Sequence, residues 1–186
     1  MIPMRFFRHT CKILAVFSFL LVLNGCGYTT HSSIYPAGTS ICVSQVKNKI
    51  NFTDESSENT RLVNYFPMLE TKITNAVVDR FITDGNLKIG KADTCDLILE
   101  SEVVRYARDA LQYFENNEDV KEYRVTLFVN LALKDRDGKI IFQESNFGGD
   151  ATYYTQGSLA KSETSAVEDA ITDLSRRIVE RVVESW

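Results

Sequence analysis

The sequence has few of the residues from which catalytic and metal centres are built. Its 186 residues include two histidines and four cysteines without a Cys-x-x-Cys pair, too few ligands for a zinc site. Nine glycines and no Gly-rich phosphate loop exclude a collagen and a nucleotide-binding fingerprint. A net charge of −4 argues against a nucleic-acid-binding protein. With 44% apolar residues, 11 Phe and 8 Tyr, the chain still has enough core for one globular domain.

Catalytic chemistry is equally hard to place on this chain. A Ser-His-Asp triad would need His31, which lies in a Gly-, Thr- and Ser-containing stretch that cannot hold it firmly. Glu100 and Glu102 share one face of a predicted strand, which is typical of a solvated face rather than of paired carboxylates in a cleft. The segment 135–138 begins like a calcium loop but lacks the later ligands. We therefore predict a protein that is not an enzyme and needs no cofactor or metal.

The first 25 residues are typical of a secretory signal peptide. Arg5, Arg8 and Lys12 precede an apolar run of 11 residues, Ile13–Leu23. A helix that spans a membrane needs about 20 apolar residues, so a permanent transmembrane anchor is the weaker interpretation. We predict that residues 1–25 are removed.

The end of this segment, Leu23-Asn24-Gly25-Cys26, resembles the bacterial lipobox. The resemblance implies that the Cys26 thiol is acylated and becomes the mature N-terminus; the alternative is an ordinary signal peptide with an incidental Cys26. More than one acyl chain makes such an anchor stable. Gly27 follows the thiol, where Asp would favour inner-membrane retention, so the resemblance implies a lipid anchor in the outer membrane, on its periplasmic face.

Removal of the signal peptide changes the charge and leaves two cysteines besides Cys26. Three cations and no acid are lost, so the net charge moves from −4 to −7 over the remaining 161 residues. Cys42 and Cys95 would lie in an oxidising periplasm, where a disulfide is permitted. They either form that disulfide, if their Cα atoms lie within about 7 Å, or remain two buried thiols.

The pattern of the mature chain predicts a short tether, residues 26–39, followed by one α+β domain, residues 40–186. Apolar periodicity indicates the order β-α-β-β-β-α. We expect a four-stranded mixed sheet with both helices packed on one face. The predicted elements are a strand at 40–46, a helix opened by Pro67 and ended by Gly85, strands near 95–103, 123–133 and 139–147 with a break at Gly148-Gly149-Asp150, a loop at 151–161, and a final helix capped by Ser162 or by a Ser165-x-x-Glu168 box.

Five segments in this order resemble the LptE-type lipopolysaccharide-assembly lipoproteins. They are Cys26-Gly27-Tyr28, the helix 69–81, the strand segments Glu122-Tyr123-Arg124-Val125 and Val129-Asn130, and the helix 170–181. The resemblance implies an outer-membrane lipoprotein seated inside the LptD β-barrel. Such proteins plug the barrel, help it assemble and bind lipopolysaccharide on its way to the outer leaflet.

The resemblance also implies candidate contacts for lipopolysaccharide, whose phosphates favour Lys and Arg. Leu159-Ala160-Lys161 matches a stretch whose Lys is implicated in this contact, so Lys161 is the first candidate; the alternative is a solvated surface lysine. A second basic contact lies, in those members, in the loop before Glu122, but here residues 113–119 are acidic. Nearby cations that could replace it are Arg105, Arg108, Lys121 and Arg124, and a third basic cluster is Lys134, Arg136 and Lys139.

Two other interpretations remain open from the residues alone. The protein could be another accessory lipoprotein of an envelope machine, similar to a pilotin, or a lipoprotein that binds a different amphiphile. The partners we expect are an LptD-type barrel, lipopolysaccharide and the membrane that holds the lipid anchor, with no nucleic acid.

Overall fold

The computed structural model describes residues 34–50, 66–91, 94–115 and 119–184. The signal peptide, Cys26 and most of the tether therefore lie outside the described residues. No helix in the described part is long and apolar enough to cross a membrane. The elements are β1 (Ser40–Val43), β2 (Lys47–Asn48), α1 (Leu69–Asp84), β3 (Lys88–Ile89), β4 (Leu97–Tyr113), β5 (Val120–Asp135), β6 (Ile140–Tyr154) and α2 (Glu163–Val183).

The described strands form one mixed sheet in the order β3-β1-β4-β5-β6, with β2 beside β4. The three long strands, β4, β5 and β6, are antiparallel, whereas β1 and β2 pair in parallel with β4. The predicted α+β class with two helices and a mixed sheet is confirmed, but the sheet has six strands rather than four. The two additional strands, β2 and β3, have two residues each, too few to produce an alternating pattern in the sequence.

Both helices cover the same face of the sheet, because their buried residues belong to one apolar cluster with alternate residues of the strands. Leu97, Leu99 and Val103 of β4 are buried on this face, as the alternation predicts. The residues of β5 that are fully buried on the same face are Val125, Leu127, Val129, Leu131 and Leu133. The opposite face of the sheet, the open face, is covered by no element of the described residues and has polar side chains.

The predicted strand break at Gly148-Gly149-Asp150 is wrong, because β6 continues to Tyr154. A Cβ atom on Gly149 would lie 2.4 Å from the Cα atom of Leu174 in α2. This glycine therefore allows the helix backbone to approach the strand closely. The residues 151–154, predicted as loop, accordingly belong to the strand.

The helix ends agree with the predictions except at the start of α1. Helix α1 begins at Leu69, after Met68 in the left-handed region with φ 62°, so Pro67 precedes the helix rather than opening it. Gly85 ends α1 in the left-handed conformation, as predicted. At α2, the Oγ of Ser162 accepts a hydrogen bond from the amide of Ser165 at 3.1 Å, so Ser162 is the cap and the alternative box is not formed.

The two ends of the domain differ in what they contain. One end, which we call the base, contains the β5–β6 turn, the C-termini of α1 and α2, and Ile34. The amide of Ile34 donates to the carbonyl of Val183 at 3.3 Å, which places it at the end of α2. The opposite end is the tip. The 17 residues of β4 extend over about 56 Å. The 21 residues of α2 extend over only about 31 Å, so the long strands continue beyond the helix at the tip.

Cys42 and Cys95 form a disulfide near the base, with their Cα atoms 5.8 Å apart. This distance lies in the usual range for disulfides. The bond links β1 to the residue that precedes β4 by two positions, and it closes a sequence separation of 53 residues. Two segments that pair in parallel through only a few backbone hydrogen bonds are therefore also covalently joined.

We predict that Gly149→Ala destabilises the domain by about 1–3 kcal/mol, because the added methyl group would overlap the backbone of α2. Urea unfolding of the mature chain measures this loss. The control is Gly148→Ala, whose Cβ would meet only the side chains of Phe128 and Thr126, at 3.4 and 3.5 Å. Equal stability of the two variants would contradict the packing role of Gly149.

Candidate functional site at the tip

The tip is formed by the C-terminal end of β4, the N-terminal end of β5 and the loop 155–161. The amide of Thr155 donates to the carbonyl of Lys121 at 3.1 Å, and its Oγ1 donates to the carbonyl of Val120 at 2.8 Å. The amide of Lys161 donates to the carbonyl of Tyr154 at 3.1 Å. These bonds tie the loop to the strands. They bring Lys161 and Lys121, 40 residues apart in the sequence, to the same end of the domain.

Lys161 makes an ion pair that costs little to break. Its Nζ lies 2.8 Å from Oδ2 of Asp169, and the two side chains are 51% and 47% exposed. Exposed pairs of this kind contribute about 0–1 kcal/mol. A phosphate with two or more acceptor oxygens can therefore replace Asp169 as the partner of Lys161.

Three other predicted cations are exposed at or near the tip. Lys121 has no ion-pair partner among the described residues, and Nε of Arg124 lies 3.7 Å from Oδ2 of Asp150. The guanidinium of Arg105 lies over the Phe128 ring, 3.6 Å from its centroid, on the open face of the sheet. In the register of β4 and β5, Arg105 pairs with Phe128, whereas Arg124 pairs with Asp109. Arg105 therefore lies four residues along β4 from the position opposite Arg124. It therefore lies farther from the tip than the other two cations.

Arg108, by contrast, faces the helix layer. Its Nη1 lies 3.0 Å from Oε2 of Glu163, with side-chain exposures of 14% and 20%, and its guanidinium packs over the Tyr123 ring. The Tyr106 hydroxyl donates to the other oxygen of Glu163 at 2.8 Å. Glu163 is the first residue of α2, where a negative charge also favours the helix dipole. Arg108 thus holds the start of α2 on the sheet, and this role separates it from the exposed cations.

A stacked tyrosine pair completes this cluster. The rings of Tyr123 and Tyr153 lie 5.6 Å apart between centroids, at an angle of 23°. Burial raises the pKa of the Tyr153 hydroxyl above its ordinary value, and the negative charge of Glu163 raises it further. Sequence reasoning missed the cluster, because only Tyr123 lies in a predicted strand, whereas Tyr106 and Tyr153 lie beyond the predicted strand ends.

The tip also exposes apolar side chains that the sequence analysis did not single out. Leu111 and Tyr113 at the end of β4 are 39% and 54% exposed, and Leu159 in the loop is 72% exposed. Register shifts between Val103 and Arg105, and again between Ala110 and Tyr113, interrupt the alternation of β4, so the sequence pattern gave no signal for these two residues. The tip therefore combines exposed lysines with exposed apolar groups, although Glu115 and Asp119 add negative charge nearby.

The basic cluster of Lys134, Arg136 and Lys139 lies at the base, at the opposite end from Lys161. Nζ of Lys134 pairs with Glu100 at 2.8 Å on the open face. Nη2 of Arg136 donates to the carbonyl of Thr94 at 3.3 Å. The carbonyl of Lys139 accepts a hydrogen bond from the amide of Asp135 across the turn. Gly138 makes this turn possible with a φ of 82°. The structure thus separates this cluster from the tip.

We predict that Arg108→Ala lowers the free energy of unfolding by about 1.5–3 kcal/mol, because it leaves a largely buried carboxylate without this hydrogen-bond partner. The matched change Lys161→Ala should cost no more than about 1 kcal/mol, since its pair is exposed. Urea unfolding of both variants gives the comparison. A small loss in the free energy of unfolding for Arg108→Ala would contradict the structural role of Arg108.

The fold occurs in solved structures of low sequence identity. A hypothetical protein from Chlamydia trachomatis aligns with a TM-score of 0.52 and 16% identity, over 78% of this chain and 96% of that chain. Uncharacterised lipoprotein B from Nitrosomonas europaea aligns with a TM-score of 0.50 and 14% identity, over 84% and 90%. At these identities the likeness concerns the fold alone. No curated protein sequence matches the chain significantly.

The family model for LptE, described as lipopolysaccharide-assembly, matches residues 51–185. The matched range includes both helices, the three long strands and the whole tip. Because this range spans well over half of the sequence, the protein belongs to the LptE family of lipopolysaccharide-assembly proteins.

Proposed function

We propose that this protein is a non-catalytic lipoprotein subunit of the lipopolysaccharide export translocon. It is anchored through acylated Cys26 on the periplasmic face of the outer membrane. There it plugs the LptD β-barrel, assists its assembly and binds lipopolysaccharide during insertion into the outer leaflet. The observation that carries the binding role is the tip, where Lys161 and Lys121 lie beside exposed Leu111, Tyr113 and Leu159.

The chemistry of the tip matches the chemistry of lipopolysaccharide. Lipid A combines phosphates with acyl chains, so it needs cations and apolar surface in one place. The ammonium groups of Lys161 and Lys121 suit the phosphates, whereas Leu111 and Leu159 offer apolar contacts. Since the mature chain is acidic as a whole, attraction to an anionic glycolipid has to be local, and the tip meets this requirement.

The remaining surface supports the role of a plug. On the outside of α2, Arg176 pairs with Asp173 and Glu180, both at 2.7 Å. On the open face of the sheet, Glu100 pairs with Lys134. A domain that is polar on both faces suits the polar interior of a wide barrel. The sheet is five strands wide, about 19 Å, and the helix layer lies about 10 Å from it. The domain is therefore large enough to fill such a lumen.

We expect the protein to be recovered from detergent-solubilised envelopes in a stable complex with a large β-barrel protein. Affinity purification of the full-length chain, followed by identification of the co-purifying proteins, tests this. Depletion of the protein should also reduce lipopolysaccharide at the cell surface. Recovery as a free monomer with normal surface lipopolysaccharide would instead favour another envelope accessory lipoprotein.

Lys161→Glu should weaken lipopolysaccharide binding by about tenfold or more, because a charge-assisted contact is replaced by repulsion. The matched control is Lys139→Glu, the same charge change at an exposed lysine of the base. Binding is measured with purified protein and lipopolysaccharide at fixed salt concentration. An unchanged affinity for Lys161→Glu, or an equal loss in both variants, would exclude Lys161 from the site.

A further inference from the structure

Isoleucine is unusually exposed at the base. Nine large apolar side chains are exposed among the described residues, and five of them are isoleucines at this one end. They are 38–63% exposed, whereas Ile41, Ile73 and Ile178 in the core are fully buried. The five are Ile34, Ile82, Ile89, Ile140 and Ile141.

The sheet register and the chain connections place these five residues at one end. Ile89 pairs with Ile41, Ile41 with Leu97, and Leu97 with Asp135, which is one row across the sheet. Ile140 pairs with Lys134, one residue from that row. Ile82 lies in the last turn of α1, and Ile34 is hydrogen-bonded to the end of α2. The isoleucines thus surround an end of the domain that is about 19 Å wide.

The same end carries the connection to the proposed lipid anchor, so the inference rests on the proposed acylation of Cys26. Ile34 follows Cys26 by eight residues. A chain of eight residues reaches at most about 29 Å even when fully extended. The base is therefore the end of the domain that is held near the bilayer surface.

Positive and negative charges at the base nearly balance, so a net charge does not distinguish this end of the domain. Lys88, Lys91 and Lys139 lie at this end together with Asp96 and Asp135, whose carboxylates are already hydrogen-bonded within the chain. Oδ1 of Asp135 accepts from the amides of Asp137 and Lys139, at 3.0 and 2.8 Å. Oδ2 of Asp96 accepts from the amide and the hydroxyl of Ser40, which lowers the pKa of this carboxyl. The apolar side chains are thus the distinctive feature of this end.

We propose that, before the domain enters the barrel, the base is a membrane-contacting surface, and that its isoleucines lie in the interfacial region of the leaflet that holds the lipid anchor. Shallow burial of apolar side chains at the headgroup boundary is favourable in proportion to the area buried. The short tether supplies a high local concentration of bilayer, so even weak contacts suffice. Because the base has no net excess of cations, contact should depend little on anionic lipid.

This contact would orient the whole domain. With the base on the periplasmic leaflet, the long strands direct the tip into the periplasm, up to about 56 Å from the membrane surface. The lipid anchor and the lipopolysaccharide-binding tip would then act at opposite ends of one rigid sheet.

The test uses lipidated mature protein in vesicles of phosphatidylcholine that contain brominated lipid. A polarity-sensitive fluorophore is attached at Ile82→Cys or Ile140→Cys in the base, and at Leu111→Cys or Leu159→Cys in the tip as matched controls. All four positions are exposed, so labelling should leave the core intact. Quenching at the base should exceed quenching at the tip by about twofold or more, and added phosphatidylglycerol should change it little.

Quenching that is equal at base and tip, or absent at both, would overturn the proposal. If the base labels are unquenched by lipid but become protected from an aqueous quencher when a barrel protein is added, the isoleucines contact a protein instead. An unmodified Cys26 in the mass spectrum of the envelope protein would contradict the proposed anchor, which is a result separate from the quenching. A missing barrel partner would contradict the proposed function while leaving the quenching result valid.

Discussion

The close approach of α2 to β6 at Gly149 determines the arrangement of the domain. Where Gly149 leaves no side chain, the backbone of Leu174 lies directly on the strand. From this point the helix is held along its length by contacts with the same strand: Arg177 and Arg181 lie over the Phe147 and Phe142 rings, and Arg181 also pairs with Glu144. The helix then covers the alternate apolar residues of β5 and β6, and this cover makes that face the core.

The same constraint defines the tip. Helix α2 begins at Glu163, held by Arg108 and Tyr106 of β4, so the last residues of β4 continue without cover. Apolar side chains earlier in β4 are buried, whereas those of its last residues are exposed. The loop before the helix must return along these strand ends, which puts Lys161 beside them. An amphipathic tip is therefore a consequence of a helix that is shorter than the strands it covers.

Much of the fold could be predicted from local patterns, because alternation and helical periodicity report which face of an element is buried. The alternation of β5 and the end of α1 at Gly85 followed directly. The two-residue strands did not, since their pairing depends on a neighbour distant in sequence. Gly148-Gly149 was misinterpreted because glycine marks both a turn and a close contact, and only the position of α2 distinguishes the two.

The sequence by itself determined the α+β class, the buried faces of the long strands and the family resemblance, which the family model matches. These properties depend on neighbouring residues and on ordered motifs. Only the tertiary structure decided which cations are available for a ligand. Arg108 and Lys161 are both basic residues near acids, but one lies under a helix and the other in solvent. Because the free energy of an ion pair depends on its exposure to water, that difference cannot be obtained from residue type or spacing.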